Sequence, residues 1–88
     1  MLEQTRLSLA RLGRVIANER QIRGWTQVQL AKQAGVNRAY LSDVEQGHRN
    51  ITMDILVRLS STLGMTASDL IVRAENAFVE PAISGSPK

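Results

Sequence analysis

The stretch Gln27–Glu45, QVQLAKQAGVNRAYLSDVE, constrains the fold of this 88-residue chain more than any other, because it reads as two short helices broken by one glycine. Thr26 and Gln29 make the T-x-x-Q pattern of a capping box, in which the hydroxyl accepts from the backbone three residues on and the glutamine reaches back. Apolar or small residues follow at Val28, Leu30, Ala31 and Ala34, and Gly35 suits the left-handed conformation that ends a helix. Asn37 then caps a second helix, with Leu41 and Val44 as its inward stripe and Asn37 on the same side. Helices of about two turns bury too little surface to be stable alone, so the flanking chain must supply their packing.

The flanks offer that packing. From about Leu2 to Arg23 a first helix is predicted, with Leu2, Leu9, Leu12 and Ile16 along one side and Arg6, Arg11, Arg14, Glu19 and Arg23 around the others. Gly24 ends it. After the second short helix, the polar run Gln46-Gly47-His48-Arg49-Asn50 reads as an exposed turn. Thr52 caps a fourth helix lined by Ile55, Leu56, Leu59 and Leu63 and stopped by Gly64. Thr66 and Asp69 form a second capping box, opening a fifth helix through Leu70, Ile71, Ala74 and Phe78. No stretch alternates as a strand would. The expected fold is all-α, five helices in one domain over residues 1–80, and the composition of residues 81–88 is that of a disordered tail.

Composition narrows the chemistry. The absence of cysteine removes disulfides, thiolate nucleophiles and Cys-based zinc sites. With a single histidine, His48, and no paired carboxylates or phosphate-cradling glycine loop, no enzyme, metal or cofactor is expected, and His48 reads as a solvated loop residue. No apolar run approaches the ~18 residues of a membrane span, and no basic leader precedes an apolar core, so a soluble, cytoplasmic chain with no membrane partner is expected. Residues 1–50 carry a net charge of +4 and residues 51–88 a net −1, an asymmetry that points weakly to a polyanion.

The residues of the opening stretch carry a more specific signal. Ala31 is small where two helices would approach, Gly35 stands at the turn, and Leu30, Ala34, Val36, Leu41 and Val44 occupy the positions where a DNA-binding helix-turn-helix needs apolar side chains. The segments G-W-T-Q-x-x-L-A, A-G-V, Y-L-S-D-V-E-x-G and L-G follow in order, and across residues 9–72 the chain resembles the Cro/C1-type (phage-repressor-like, XRE) helix-turn-helix family. Controller proteins of restriction-modification systems, one group of this length, can also activate. The resemblance implies a compact five-helix, lambda-repressor-like domain that binds double-stranded DNA as a symmetric dimer.

In such a domain the exposed face of the second short helix enters the major groove. Turning 100° per residue from Leu41 puts Arg38, Ala39, Ser42, Asp43 and Gln46 on or toward that face. Arg38 is the best candidate base reader, since its fork can bond guanine O6 and N7 together, with a phosphate-touching or solvated arginine as the alternative. Ala39 could pack on a thymine methyl and Ser42 could donate or accept. Asp43 either accepts from cytosine N4 or is held by a nearby arginine, and the structural role is favoured. Gln27 resembles the family's phosphate-contacting glutamine, at a helix start whose free N–H groups suit an anion. Asn37 could touch phosphate as well as cap. Tyr40 could bond a phosphate or cover the core, and His48, Arg49 and Asn50 are placed to grip the backbone.

Glu45 lies only about 40° from Leu41 on the helical wheel and so needs a partner on the core side. The resemblance places Arg20 opposite it as a structural ion pair. Leu70, Ile71, Ala74, Ala77 and Phe78 offer more apolar surface than a small core requires; part of it is expected to form a dimer interface, with Phe78, Val79 or Ile83 as extensions, and internal core is the alternative. The leading reading is a sequence-specific transcriptional regulator on a palindromic operator. The alternative is an antitoxin that also binds its own operator, although little sequence follows residue 80 for a toxin to engage. RNA polymerase or a toxin protein is the further partner these readings would bring.

Overall fold

The computed structural model describes residues 8–76, which form five α-helices and no strand: α1 Leu9–Ile22, α2 Gln27–Ala34, α3 Arg38–Glu45, α4 Met53–Thr62 and α5 Ala67–Asn76. Helix α1 packs on α3 and α5, α2 on α3 and α4, and α4 on α5, so that all five surround one core. Ile16, Leu30, Leu41, Leu59, Leu63 and Leu70 have almost no exposed surface. Each contributes about 1.5–3 kcal/mol by leaving water. With one Trp, one Tyr and one Phe in the chain, this branched aliphatic core is what holds the two short helices in place.

Local signals set the helix ends. Thr26 Oγ1 accepts from Gln29 N at 3.1 Å while Gln29 Oε1 accepts from Thr26 N at 2.8 Å, a complete capping box. Thr66 and Asp69 repeat it at α5, with Asp69 Oδ2 accepting from Thr66 N at 3.1 Å. That backbone hydrogen bond holds the Asp69 carboxyl below the ordinary carboxylate range, helped by the Thr66 hydroxyl. Asn37 and Thr52 cap α3 and α4 with a single side-chain bond each, accepting from Tyr40 N and Ile55 N. Gly35 takes φ 73°, a left-handed conformation that a side chain would strain, and this residue turns α2 into α3.

Helix α1 departs from expectation at both ends of its register. Ser8, in an extended conformation, accepts from Arg11 N at 3.2 Å and so marks the helix start at Leu9. The expected first turns around Leu2 lie outside the described residues. Leu9, expected in the core, is 37 % exposed, and Val15 takes the inner position instead. The larger correction concerns Glu19, expected on an outer face. It is buried between two arginines, with Oε1 accepting from Arg23 at 2.8 Å and Oε2 from Arg73 at 2.9 Å. Arg23 also donates to the Leu63 carbonyl, so this buried carboxylate ties α1 to α5 and to the end of α4.

Gly13 is the other unexpected feature. A Cβ at this position would collide with the Val44 carbonyl oxygen and lie 2.8 Å from that of Glu45, so the bare α-carbon lets the end of α3 rest directly on α1.

The residues expected at the dimer interface divide. Leu70 and Ala74 are each 0 % exposed inside the protomer, because α5 turns this stripe toward α1 and α4; neither can form a surface. Ile71 is half-buried and lines a shallow apolar groove with Leu9, Leu12, Ile51 and Leu56. Ala77, Phe78, Val79 and Ile83 lie outside the described residues, as does the expected tail.

Candidate nucleic-acid interface

The surface to which α2 and α3 contribute is assembled around Glu45. Arg20 donates to it twice, Nε to Oε2 at 2.8 Å and Nη2 to Oε1 at 3.0 Å, in the bidentate geometry that suits a guanidinium and a carboxylate. The third Arg20 hydrogen bond goes to the Trp25 carbonyl at 2.8 Å, just before α2. The hydrogen bond with Glu45 raises the Arg20 pKa above its already high ordinary value, so the charge is permanent. Gln27 Nε2 donates to the same Glu45 oxygen at 2.9 Å. One carboxylate therefore links the last turn of α1, the start of α2 and the end of α3.

This arrangement refines the expectation for Gln27. Its side chain is not free at the helix start; one amide hydrogen is engaged by Glu45 and the other remains for a further acceptor. The first backbone N–H groups of α2 have no intrahelical partner, and they add a fixed positive dipole beside it. The turn is braced from behind by Arg58 of α4, whose Nη1 donates to the Gly35 carbonyl at 3.2 Å while Nε bonds Asp54. The sequence gives no sign of this role for Arg58, because its acceptor is a main-chain oxygen 23 residues away.

Helix α3 presents two faces. Leu41 and Val44 point into the core. Arg38 and Ala39 are exposed at its first turn, and Arg38 makes no hydrogen bond or ion pair among the described residues. Asn37, expected on the core side, is instead exposed. As the cap it has extended backbone, φ −72° and ψ 135°, so the helical wheel does not apply to it; its Oδ1 accepts from Tyr40 N at 3.1 Å. Ser42 and Asp43 are half-exposed on the next turn, Ser42 accepting from Gln46 at 3.3 Å.

The turn after α3 folds back on the helix. Gly47 has φ 77° and a Cβ there would lie 2.8 Å from the Ala10 α-carbon, so this turn rests on the start of α1. Tyr40 covers the core edge with its ring and donates its hydroxyl to the Asn50 carbonyl at 2.9 Å. Arg49 lies over that ring, 5.2 Å from its centroid, and donates to Asp43 Oδ2 at 3.3 Å. Both partners of this pair are close to half exposed. His48 and Asn50 are exposed beside it. Asp43 is thus held by an arginine, which is the alternative favoured from the sequence.

Gln27, Asn37, Arg38, Ala39, Ser42, Asp43, Arg49 and Asn50 therefore sit on the segments that join at the α2–α3 unit and the turn behind it, whereas Ile71 lies on another helix. Among the described residues no group of three or more histidine, aspartate or glutamate side chains could hold a metal ion, and no single helix is long and apolar enough to cross a membrane.

These features match known proteins. The helix-turn-helix family model matches residues 16–70, and the chain belongs to the helix-turn-helix family. The control protein C.SmaI of Serratia marcescens is 33 % identical over 58 residues, covering 66 % of this chain and 69 % of the relative. The transcriptional regulator SlrR of Bacillus subtilis is 37 % identical over 75 residues, 84 % of this chain and 49 % of its own length. The crystal structure of the restriction-modification controller protein C.AhdI from Aeromonas hydrophila superimposes with a TM-score of 0.69 at 29 % identity, covering 70 % of this chain and 94 % of that one. The chain spans about half the length of several curated relatives that it matches.

Proposed function

We propose that this chain is a sequence-specific DNA-binding transcriptional regulator that places α3 in the major groove and binds a palindromic operator as a homodimer. The observation that carries the reading is the α2–Gly35–α3 unit with an outward α3 face whose leading arginine, Arg38, has no partner among the described residues. A cation standing clear at the start of such a helix is available to bond two acceptors on a guanine edge. The N-terminus of α2, with Gln27 and its unpaired N–H groups, supplies the phosphate anchor that sets the depth of α3. The control proteins and regulators among its relatives support the same assignment.

Two-fold symmetry follows from energetics. One helix of eight residues reaches few base pairs, and two copies on half-sites about one helical turn apart roughly add their binding free energies. The groove bordered by Leu9, Ile51 and Ile71 is one apolar surface among the described residues that a second copy would cover.

Selection of bound duplexes from a random library tests the reading. The expected product is a palindrome with half-sites about 10 base pairs apart; no enriched sequence would overturn it. Carried through the same selection, Arg38→Ala is expected to lose preference at one base pair of each half-site, at a cost of about 1–3 kcal/mol on the wild-type site, while Gln27→Ala weakens all duplexes alike.

A further inference from the structure

Asp43 is an anomaly on a surface that faces phosphates. A carboxylate there repels the ligand, yet it sits in the middle of the outward face of α3, between the exposed first turn and the basic turn that follows. Its side-chain partner among the described residues is Arg49, and that arginine is held in place twice, by Asp43 Oδ2 at 3.3 Å and by the Tyr40 ring at 5.2 Å. The turn carrying Arg49 is pinned independently of both: the Tyr40 hydroxyl holds the Asn50 carbonyl, and His48 N donates to the Asp43 carbonyl at 2.9 Å. Arg49 can therefore exchange partners by moving its side chain alone, with the backbone already in position.

We propose that Asp43 and Arg49 form a partner-exchange pair that determines specificity, resting on the DNA-binding reading above. On unspecific DNA the carboxylate stays with Arg49 and cancels its charge, so Arg49 adds little to phosphate binding. On the operator, α3 is seated deeply enough for Asp43 to accept from a cytosine N4 amino group. Arg49 then turns to a backbone phosphate while remaining over the Tyr40 ring. The pair suits an exchange because it is long, half-exposed and weak, as solvated ion pairs are. A tight, buried pair such as Arg20–Glu45 could not open on binding. The exchange makes one phosphate contact conditional on one base contact, and in this way converts sequence-independent affinity into discrimination.

The test compares binding of wild type, Asp43→Asn, Arg49→Ala and the double variant, on the selected operator and on a scrambled duplex, as log K against log salt. Asparagine keeps the Oδ1 acceptor for cytosine but not the charge that restrains Arg49. For Asp43→Asn the salt slope on scrambled DNA is expected to steepen by about 0.9, the value of one added phosphate contact. Scrambled-DNA affinity should rise several-fold, and the ratio of operator to scrambled affinity should fall. In the Arg49→Ala background the same substitution should leave the scrambled-DNA slope unchanged. An unchanged scrambled-DNA slope for the single variant would overturn the proposal, as would a steepening that survives Arg49→Ala, which would reflect net charge alone. Failure of wild type to prefer any duplex would instead overturn the DNA-reading function itself. Both side chains lie on the surface, so an unchanged thermal transition confirms that the variants are folded.

Discussion

Arg20→Ala is expected to lower the free energy of unfolding by about 3–5 kcal/mol. The Arg20 side chain is 12 % exposed and that of Glu45 5 %, and three of the guanidinium N–H groups are used, two on Glu45 and one on the Trp25 carbonyl. Alanine would leave the carboxylate inside the fold with only the Gln27 amide against it, and a lone buried charge costs far more than the net worth of the pair. In a domain of this size each kcal/mol moves the midpoint by about 4–8 °C, so a fall of at least about 12 °C in Tm is expected. A midpoint within about 2 °C of wild type would contradict the role. Replacing both partners, Arg20→Met with Glu45→Leu, removes the orphaned charge and is expected to recover most of the stability. A double variant as unstable as Arg20→Ala would show that the loss has another origin.

The second large effect is expected at Gly13, and here two contributions oppose each other. Glycine inside a helix is about 1 kcal/mol less favourable than alanine, so Gly13→Ala considered on α1 alone should stabilise. The added Cβ, however, meets the main-chain oxygens of Val44 and Glu45 at the end of α3. Backbone cannot turn aside as a flexible side chain can, so α1 and α3 would have to separate, loosening the Arg20–Glu45 geometry with them. Such overpacking costs about 1–3 kcal/mol and occasionally more, and a rigid obstacle belongs at the upper end. Gly13→Ala should therefore unfold at lower denaturant concentration with an unchanged slope. A variant more stable than wild type would show that α1 and α3 are not in this contact.

What could be read from the chain and what could not follows from the range of each interaction. The caps at Thr26, Asn37, Thr52 and Thr66 and the turn at Gly35 are decided within four residues, and the structure has all of them. Leu41 and Val44 are buried where helical spacing put them. Glu45 was legible as a residue in need of a partner, but the choice of Arg20 came from the family resemblance, since 25 residues separate the two. Glu19 looks like any charge on an outer face, since an arginine four residues on reads as an ordinary surface pair and its second partner, Arg73, is 54 residues away. Gly13 carried no visible reason to be glycine until α3 was laid against it. Leu70 and Ala74 read as part of a surface stripe because helical periodicity identifies an apolar stripe without saying what covers it. The Arg49–Asp43 contact was legible only as one alternative of two, since the turn at Gly47 decides whether the loop folds back.

The outward face of α3, anchored by the start of α2, is the surface we propose meets DNA. Backbone amide chemical shifts of the 15N-labelled chain, recorded with and without a duplex selected from the random library, test it most directly. The expected result is a continuous perturbed surface made of Gln27 and Val28, Asn37 to Asp43 and His48 to Asn50, with the exposed residues of α5, Val72 and Arg73 among them, unaffected by added DNA. Perturbations centred on α4 and α5, with Arg38 and Ala39 unmoved, would contradict it.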